Sequence, residues 1–342
     1  LMTKWEMQWD HGSLSVYAKG GMLGDLTFTM PNGDMVSPLY KAPWLDEGRK
    51  LDPAILENLR GEFPCVPFGG VYPAEAVSDD WRASVSGASV PEGANVDSTD
   101  TLLHGYGSEA EWTLVSQTGH HIAIAVDYPE SSPIARVERQ IVADPICAKL
   151  TFSLKIHARR ECKRPLGIHP NFALRSAERM ELNVGRFNFG VVHPAGPEQG
   201  VSRAIAGSIF YSLRDIPMTE GGAADFSRVP LPFDTEEIVQ LCGVDGEVQL
   251  TDRDAGATYR LTWDPSILPS LLLWISNRGR AYEPWNGRNL CLGVEPVAAA
   301  FDLGTVASIS PNPINALGVS TASTLMPSAP LIVRYTLEAL RA

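Results

Sequence analysis

Two short words in the chain, Gly167-Ile168-His169-Pro170-Asn171-Phe172 and Leu292-Gly293-Val294-Glu295-Pro296, each set one proton-transfer group beside a proline. Both follow apolar residues that read as a strand. Imidazole and carboxylate pKa values can straddle neutrality, so His169 can donate a proton where Glu295 accepts one. If the fold brings these strands together, the two side chains form an acid/base pair. His169 and Glu295 are therefore the candidate catalytic residues. Such a pair works without a metal or a cofactor, and none is expected.

Strands must do the positioning. Leu150, Phe152, Leu154 and Ile156 alternate with Thr151, Ser153, Lys155 and His157, the pattern of a strand with one buried face. Ile122 to Val126, Ile134 to Val142, Val248 to Leu250, Tyr259 to Trp263, Leu271 to Ile275 and Leu331 to Leu337 also read as strands. Asp252-Arg253-Asp254-Ala255-Gly256 reads as a hairpin loop between two of them. Helical signals are scarce. The best runs from Asp52 to Arg60, with Asp52 as N-cap and Pro53 at the first helical position. The 30 glycines and 26 prolines are spread through the chain, so no linker stands out. Many strands, frequent turns and no βα alternation predict an all-β sandwich or barrel.

Composition narrows the partners. The net charge of -12 supplies no basic field for phosphates, which excludes nucleic acid and anionic membranes as expected partners. Five cysteines without C-x-x-C spacing predict reduced thiols in a cytoplasmic protein rather than a disulfide scaffold. The first residues show no apolar signal region. The most apolar stretch, Ile267 to Ile275, is broken by Pro269 and too short to span a bilayer. The length of 342 residues suits one large β domain or two smaller ones.

Other words join the first two. Arg60-Gly61-Glu62-Phe63-Pro64-Cys65-Val66-Pro67-Phe68-Gly69-Gly70 is followed by Asp79-Asp80-Trp81, then by Leu103-His104-Gly105-Tyr106-Gly107 and Trp112. In this order, with the His169 and Glu295 words, the chain resembles the galactose mutarotase-like superfamily of aldose 1-epimerases and hexose-6-phosphate epimerases. The likeness is clearest over residues 60–340 and implies a single domain across 1–342. It implies a large antiparallel β-sandwich with few short helices and a sugar cleft across one sheet. His169 would protonate the ring oxygen and Glu295 would take the anomeric proton. His104 matches the family's first histidine, which hydrogen-bonds the ring oxygen or a nearby hydroxyl.

The substrate-binding candidates are His104, Arg60, Trp285 and Asn171. Trp285 offers an aromatic platform for a pyranose face. Asn171 stands where aldose epimerases usually carry tyrosine. Ser108 stands where the hexose-6-phosphate epimerases usually carry an arginine, and losing a charge-assisted phosphate clamp favours a neutral sugar. Arg60, Arg82 or Arg278 could compensate. The expected partner is thus a small-molecule sugar. Two alternatives stand beside the epimerase: a non-catalytic sugar-binding protein on the same fold, and a hexose-6-phosphate epimerase. A glycan hydrolase would want a paired carboxylate in a long groove, and no word marks one.

Overall fold

The computed structural model describes residues 2–175 and 178–342. The alternating segment becomes the strand Lys149–Ala158, with Leu150, Phe152, Leu154 and Ile156 all buried. It lies within a nine-stranded antiparallel sheet. The order is Arg228–Val229, Met180–Asn183, Glu247–Asp252, Ala257–Trp263, Leu331–Arg341, Lys149–Ala158, Ile134–Ala143, His121–Asp127 and Thr113–Gln117. The other strands read from the sequence fall inside its members or, for Leu271 to Ile275, inside Ser270–Asn277. Arg253 to Gly256 form the turn between two sheet neighbours, as expected.

Facing this layer is an eight-stranded sheet that carries the site. Its order is Ile209–Phe210, Phe189–Val192, Thr235–Cys242, Ser270–Asn277, Leu290–Ala298, Leu166–Ile168 and Pro64–Cys65, with Asn171–Ala173 also pairing to Leu290–Ala298. Val239, Leu241, Leu271, Leu273 and Leu292 from this sheet meet Ile124, Val137, Phe152, Leu261 and Val333 from the other in one apolar cluster. The result is a large antiparallel β-sandwich.

The outer face of the site sheet is covered as well. Ile238, Leu272 and Trp274 pack there with Trp44, Phe63, Phe68, Trp81, Trp285 and Phe301, contributed by chain segments outside the sheet's long strands. Every residue of Thr235–Cys242 and Ser270–Asn277 is consequently buried. Burial on both faces is why Leu271 to Ile275 reads as an unbroken apolar run and not as an alternation. Arg139 and Tyr335 of the nine-stranded sheet hold Glu62, just before the site sheet's Pro64–Cys65: Arg139 pairs with Glu62, and the Tyr335 hydroxyl donates to the same carboxylate at 2.6 Å. That anchor holds Glu62 next to Phe63, a wall of the site.

Two features differ from expectation. The segment from Asp52 to Arg60 is a single 3-10 turn, Ala54–Glu57, capped by extended Pro53 with no side-chain bond from Asp52. The Trp44 indole takes the Leu56 carbonyl at 2.8 Å, so that carbonyl is not free to extend a helix. The first residues add a four-stranded sheet, Lys4–Trp9, Gly12–Tyr17, Met22–Thr29 and Met35–Val36. The α-helices among the described residues are the five-residue turns Arg82–Ser86 and Thr305–Ile309. No helix among them is long and apolar enough to cross a membrane.

Candidate active site

Register brings His169 and Glu295 together. Gly167 pairs with Val297 and Asn171 with Gly293, so the pairing carries through and sets His169 opposite Glu295. Pro170 has no N–H to give the ladder, and its carbonyl accepts from Val294 N–H at 2.8 Å. The His169 N–H turns the other way, to the Phe63 carbonyl at 2.9 Å. The two residues therefore form the non-hydrogen-bonded kind of antiparallel pair, in which side chains stand closest. His169 Nε2 lies 2.9 Å from Glu295 Oε1. Gly293 makes room, since a Cβ there would meet Glu295 Oε2 at 2.5 Å.

Both side chains are buried, and both line the floor of a cavity of about 700 Å³. Phe63 stacks on the His169 ring at 4.7 Å, and Trp274 meets its edge at 6.0 Å. Burial pushes Glu295 well above the usual carboxylate range, and the nearby charge of Asp302 adds to the rise. Burial also lowers His169 to about 3. Each shift resists a charge on its own group, so the pair favours holding one proton between two otherwise neutral partners. His169 Nδ1 is buried without a hydrogen-bond partner.

His104 joins this wall. Its ring centroid is 5.0 Å from that of His169, at nearly a right angle. The Gly69 N–H donates to His104 Nδ1 at 3.2 Å, which leaves Nε2 to carry the ring hydrogen. Burial, then the neighbouring His169, lowers its pKa to about 3. His104 is therefore a neutral ring that presents a donor. Trp285 also lines the cavity, with the Arg280 guanidinium 4.5 Å from its ring centroid and Trp44 against its other surroundings at 4.7 Å.

Arg60 and Asn171, expected to contact a substrate, stand elsewhere. The Arg60 guanidinium lies 3.9 Å over the Tyr17 ring and donates to the Asn58 carbonyl, away from the cavity lining. Cation–π packing on the N-terminal sheet accounts for its direction. Asn171 is wholly buried; its amide donates to the Gly61 and His169 carbonyls at 3.0 and 3.1 Å. It braces the turn that carries His169. Ser108 is also wholly buried, its hydroxyl bonding the Leu103 and Gly105 carbonyls, both at 2.8 Å.

Several site residues escaped the sequence reading. Asp302 lines the cavity, and His193 Nε2 donates to its Oδ1 at 2.7 Å while the Tyr72 hydroxyl donates to Oδ2 at 2.9 Å. Burial alone would raise this carboxyl; the His193 ring and the Tyr72 hydroxyl outweigh burial and hold it below the usual range. Trp274 is fixed by its indole bond to Glu236 at 2.5 Å. One signal was available, because His193-Pro194 repeats the His-Pro word of His169-Pro170.

No family model matches the chain, and no curated protein matches it by sequence. Solved structures do match. A galactose mutarotase-like protein from Lactobacillus casei shares 13% identity with a TM-score of 0.62, over 99% of this chain and all of its own. The fold is that of the galactose mutarotase-like superfamily. The GalM/aldose epimerase homologue from C. elegans aligns over 100% of both chains at 13% identity and a TM-score of 0.63. The Slr1438 protein from Synechocystis sp. PCC 6803 aligns over 99% of this chain and 96% of its own, at 13% identity and a TM-score of 0.66. These alignments run over nearly the whole chain and are not confined to residues 60–340.

Proposed function

We propose that this protein is an aldose 1-epimerase-like isomerase, which interconverts the α and β anomers of a neutral sugar by acid/base ring opening. The carrying observation is the 2.9 Å approach of His169 Nε2 to Glu295 Oε1 at the floor of the cavity. A cyclic hemiacetal offers the matching groups, a ring oxygen and an anomeric hydroxyl on one carbon. With the pair's single proton on His169, Glu295 takes the hydroxyl proton as His169 gives its own to the ring oxygen. The C1–O5 bond breaks and the carbonyl forms. Rotation about C1–C2 and the reverse transfers then close the other anomer. One proton enters and one leaves at each stage, so the pair keeps a total of one. Each positioned group is worth about a hundred- to ten-thousand-fold in rate. His104, neutral and donating, suits the ring oxygen or a neighbouring hydroxyl.

The basic side chains around the site support a neutral substrate. Arg280 is engaged by Glu198 at 2.9 Å and stands 3.6 Å from Glu236, and Lys50 reaches Glu57 at 3.3 Å. Arg82 and Arg278, which could have replaced a missing phosphate clamp, pair with Asp79 and Asp234. Polarimetry tests the reading: purified protein should speed the approach of a freshly dissolved α-hexose to rotational equilibrium. Hexoses should also compete better than their 6-phosphates. Binding without faster mutarotation, over a panel of aldoses, would leave a sugar-binding protein instead.

A further inference from the structure

The ring-opening chemistry leaves the carboxylate of Asp302 in the cavity wall without a task. Asp302 and Glu295 both line this cavity, yet Asp302 already has two donors. Ala195 N–H donates to His193 Nδ1 at 3.1 Å, so His193 Nε2 carries the hydrogen that Asp302 accepts. A carboxylate has about four lone-pair sites. Two remain after His193 and Tyr72, and the Asp302 side chain keeps 17% of its surface open.

The main chain fixes the carboxylate relative to His104. Gly70 N–H donates to the Asp302 carbonyl at 2.9 Å, while the Gly69 carbonyl accepts from His104 N–H at 2.7 Å. Gly69 adopts φ +95°, and a Cβ there would meet the Asp302 backbone at 2.9 Å. No other residue type fits this wedge without displacing it. The backbones that carry a donor, His104, and an acceptor, Asp302, are thereby tied together through Gly69 and Gly70, and both side chains line the cavity.

We propose that Asp302 is a specificity-determining residue that accepts a hydrogen bond from one ring hydroxyl of the sugar, with His193 and Tyr72 as its positioning residues. The proposal rests on the reading of the cavity as a sugar site. An ionised carboxylate only accepts, so the group facing it must carry a hydrogen. Hydroxyl and amino substituents qualify. Hydrogen, fluorine, carboxylate and phosphate do not, and an anion there would also meet like charge.

The test is titration of wild type and Asp302→Asn with a hexose that binds, and with its monodeoxy, fluoro and amino analogues, read by calorimetry. Asp302→Asn should weaken the parent hexose about ten- to a hundredfold. One deoxy position should cost wild type a similar factor and be indifferent to Asp302→Asn, a coupling that a merely structural role would not produce. At that position the fluoro sugar should bind as poorly as the deoxy sugar, and the amino sugar should still bind. Parent affinity changed by less than about threefold, or one uniform loss across all analogues, would overturn the proposal. Should Asp302→Asn fail to fold, the wild-type series decides, and no position with the fluoro, deoxy and amino pattern would overturn it. Binding with that pattern but without mutarotation would remove only the isomerase reading. A wild type that binds no hexose would remove both.

Discussion

Two histidine–carboxylate pairs meet this cavity, and they are built to opposite ends. His193 donates a 2.7 Å hydrogen bond to Asp302, its other nitrogen accepts from Ala195, and Tyr72 supplies a second donor to the carboxylate. His169 only approaches Glu295, at 2.9 Å, and its Nδ1 has no partner. Both pairs carry a His-Pro word, and three of the four side chains are buried, with Asp302 keeping 17% of its surface open. The outcome differs because of the remaining donors: Asp302 is held below the usual carboxylate range, whereas burial drives Glu295 well above it. Burial alone does not decide whether a carboxylate is charged. The electrostatics of its neighbours and the hydrogen bonds waiting for it do. One pair thereby becomes a fixed charge, and the other is the pair that moves a proton in the proposed mechanism.

On stability, the largest expected effect comes from the reactive wall. His104 and His169 are each lowered to about 3, while the unfolded chain takes up their protons near the ordinary histidine value of 6.5. Their contribution is full above that value and drains as pH falls toward 3, on the order of several kcal/mol between them. Urea unfolding at pH 7.5, 5.5 and 4.5 should show this slope, and His169→Asn should flatten it. An unchanged slope in the variant would break the assignment.

Next in size is His193→Ala, which strips the fixed pair of its main donor and leaves Asp302 ionised. A loss of about 2–4 kcal/mol is expected at pH 7.5, since removing one partner strands the other. A loss below about 0.5 kcal/mol, the range of ordinary surface substitutions, would mean that the pair is not structural.

The smallest effects carry the sharpest contrast, because they differ in sign. Asp302 has a depressed folded pKa, so its contribution is present above the unfolded value near 3.8 and lost as pH falls through the folded one. Asp302→Asn should therefore destabilise at pH 8, by about 1–2 kcal/mol. Glu295 has a raised folded pKa, so its ionisation costs stability above the unfolded value near 4.5. Glu295→Gln should stabilise at pH 8, by about 1 kcal/mol, and change little at pH 4. Thermal unfolding of the two variants side by side reads the signs directly. Equal signs would erase the comparison.

Much of this was legible in the chain and part was not, for reasons that particular residues show. The period-2 alternation around Phe152 survives into the structure because one face of that strand meets the core and the other does not. His169, Glu295 and His104 could be picked out by residue type and order, and all three line the same cavity. Arg60 and Asn171 were equally visible as types, but the direction of a side chain depends on its neighbours. Arg60 turns toward Tyr17, on a sheet that was not read from the first forty residues. Asn171 lies under the segment whose Tyr40 N–H takes its carbonyl at 2.8 Å. Asp302 gave no periodic signal, coming directly after the run Val297-Ala298-Ala299-Ala300-Phe301 beyond the Glu295 word. Its importance arises from His193 and Tyr72, more than a hundred residues away, and tertiary structure alone brings them together.

The central claim is that His169 and Glu295 share and move one proton across a bound sugar. Its most direct test is the mutarotation rate of a hexose, by polarimetry, for wild type, Glu295→Gln and His169→Asn, with sugar affinity measured on the same preparations. Glu295→Gln keeps the shape without the base, and His169→Asn removes the proton donor. Each should lower the rate by about two to four orders of magnitude while leaving affinity within about tenfold, and the wild-type pH profile should be bell-shaped. Rates that stay at the wild-type level in both variants would contradict the account and move the chemistry to other residues.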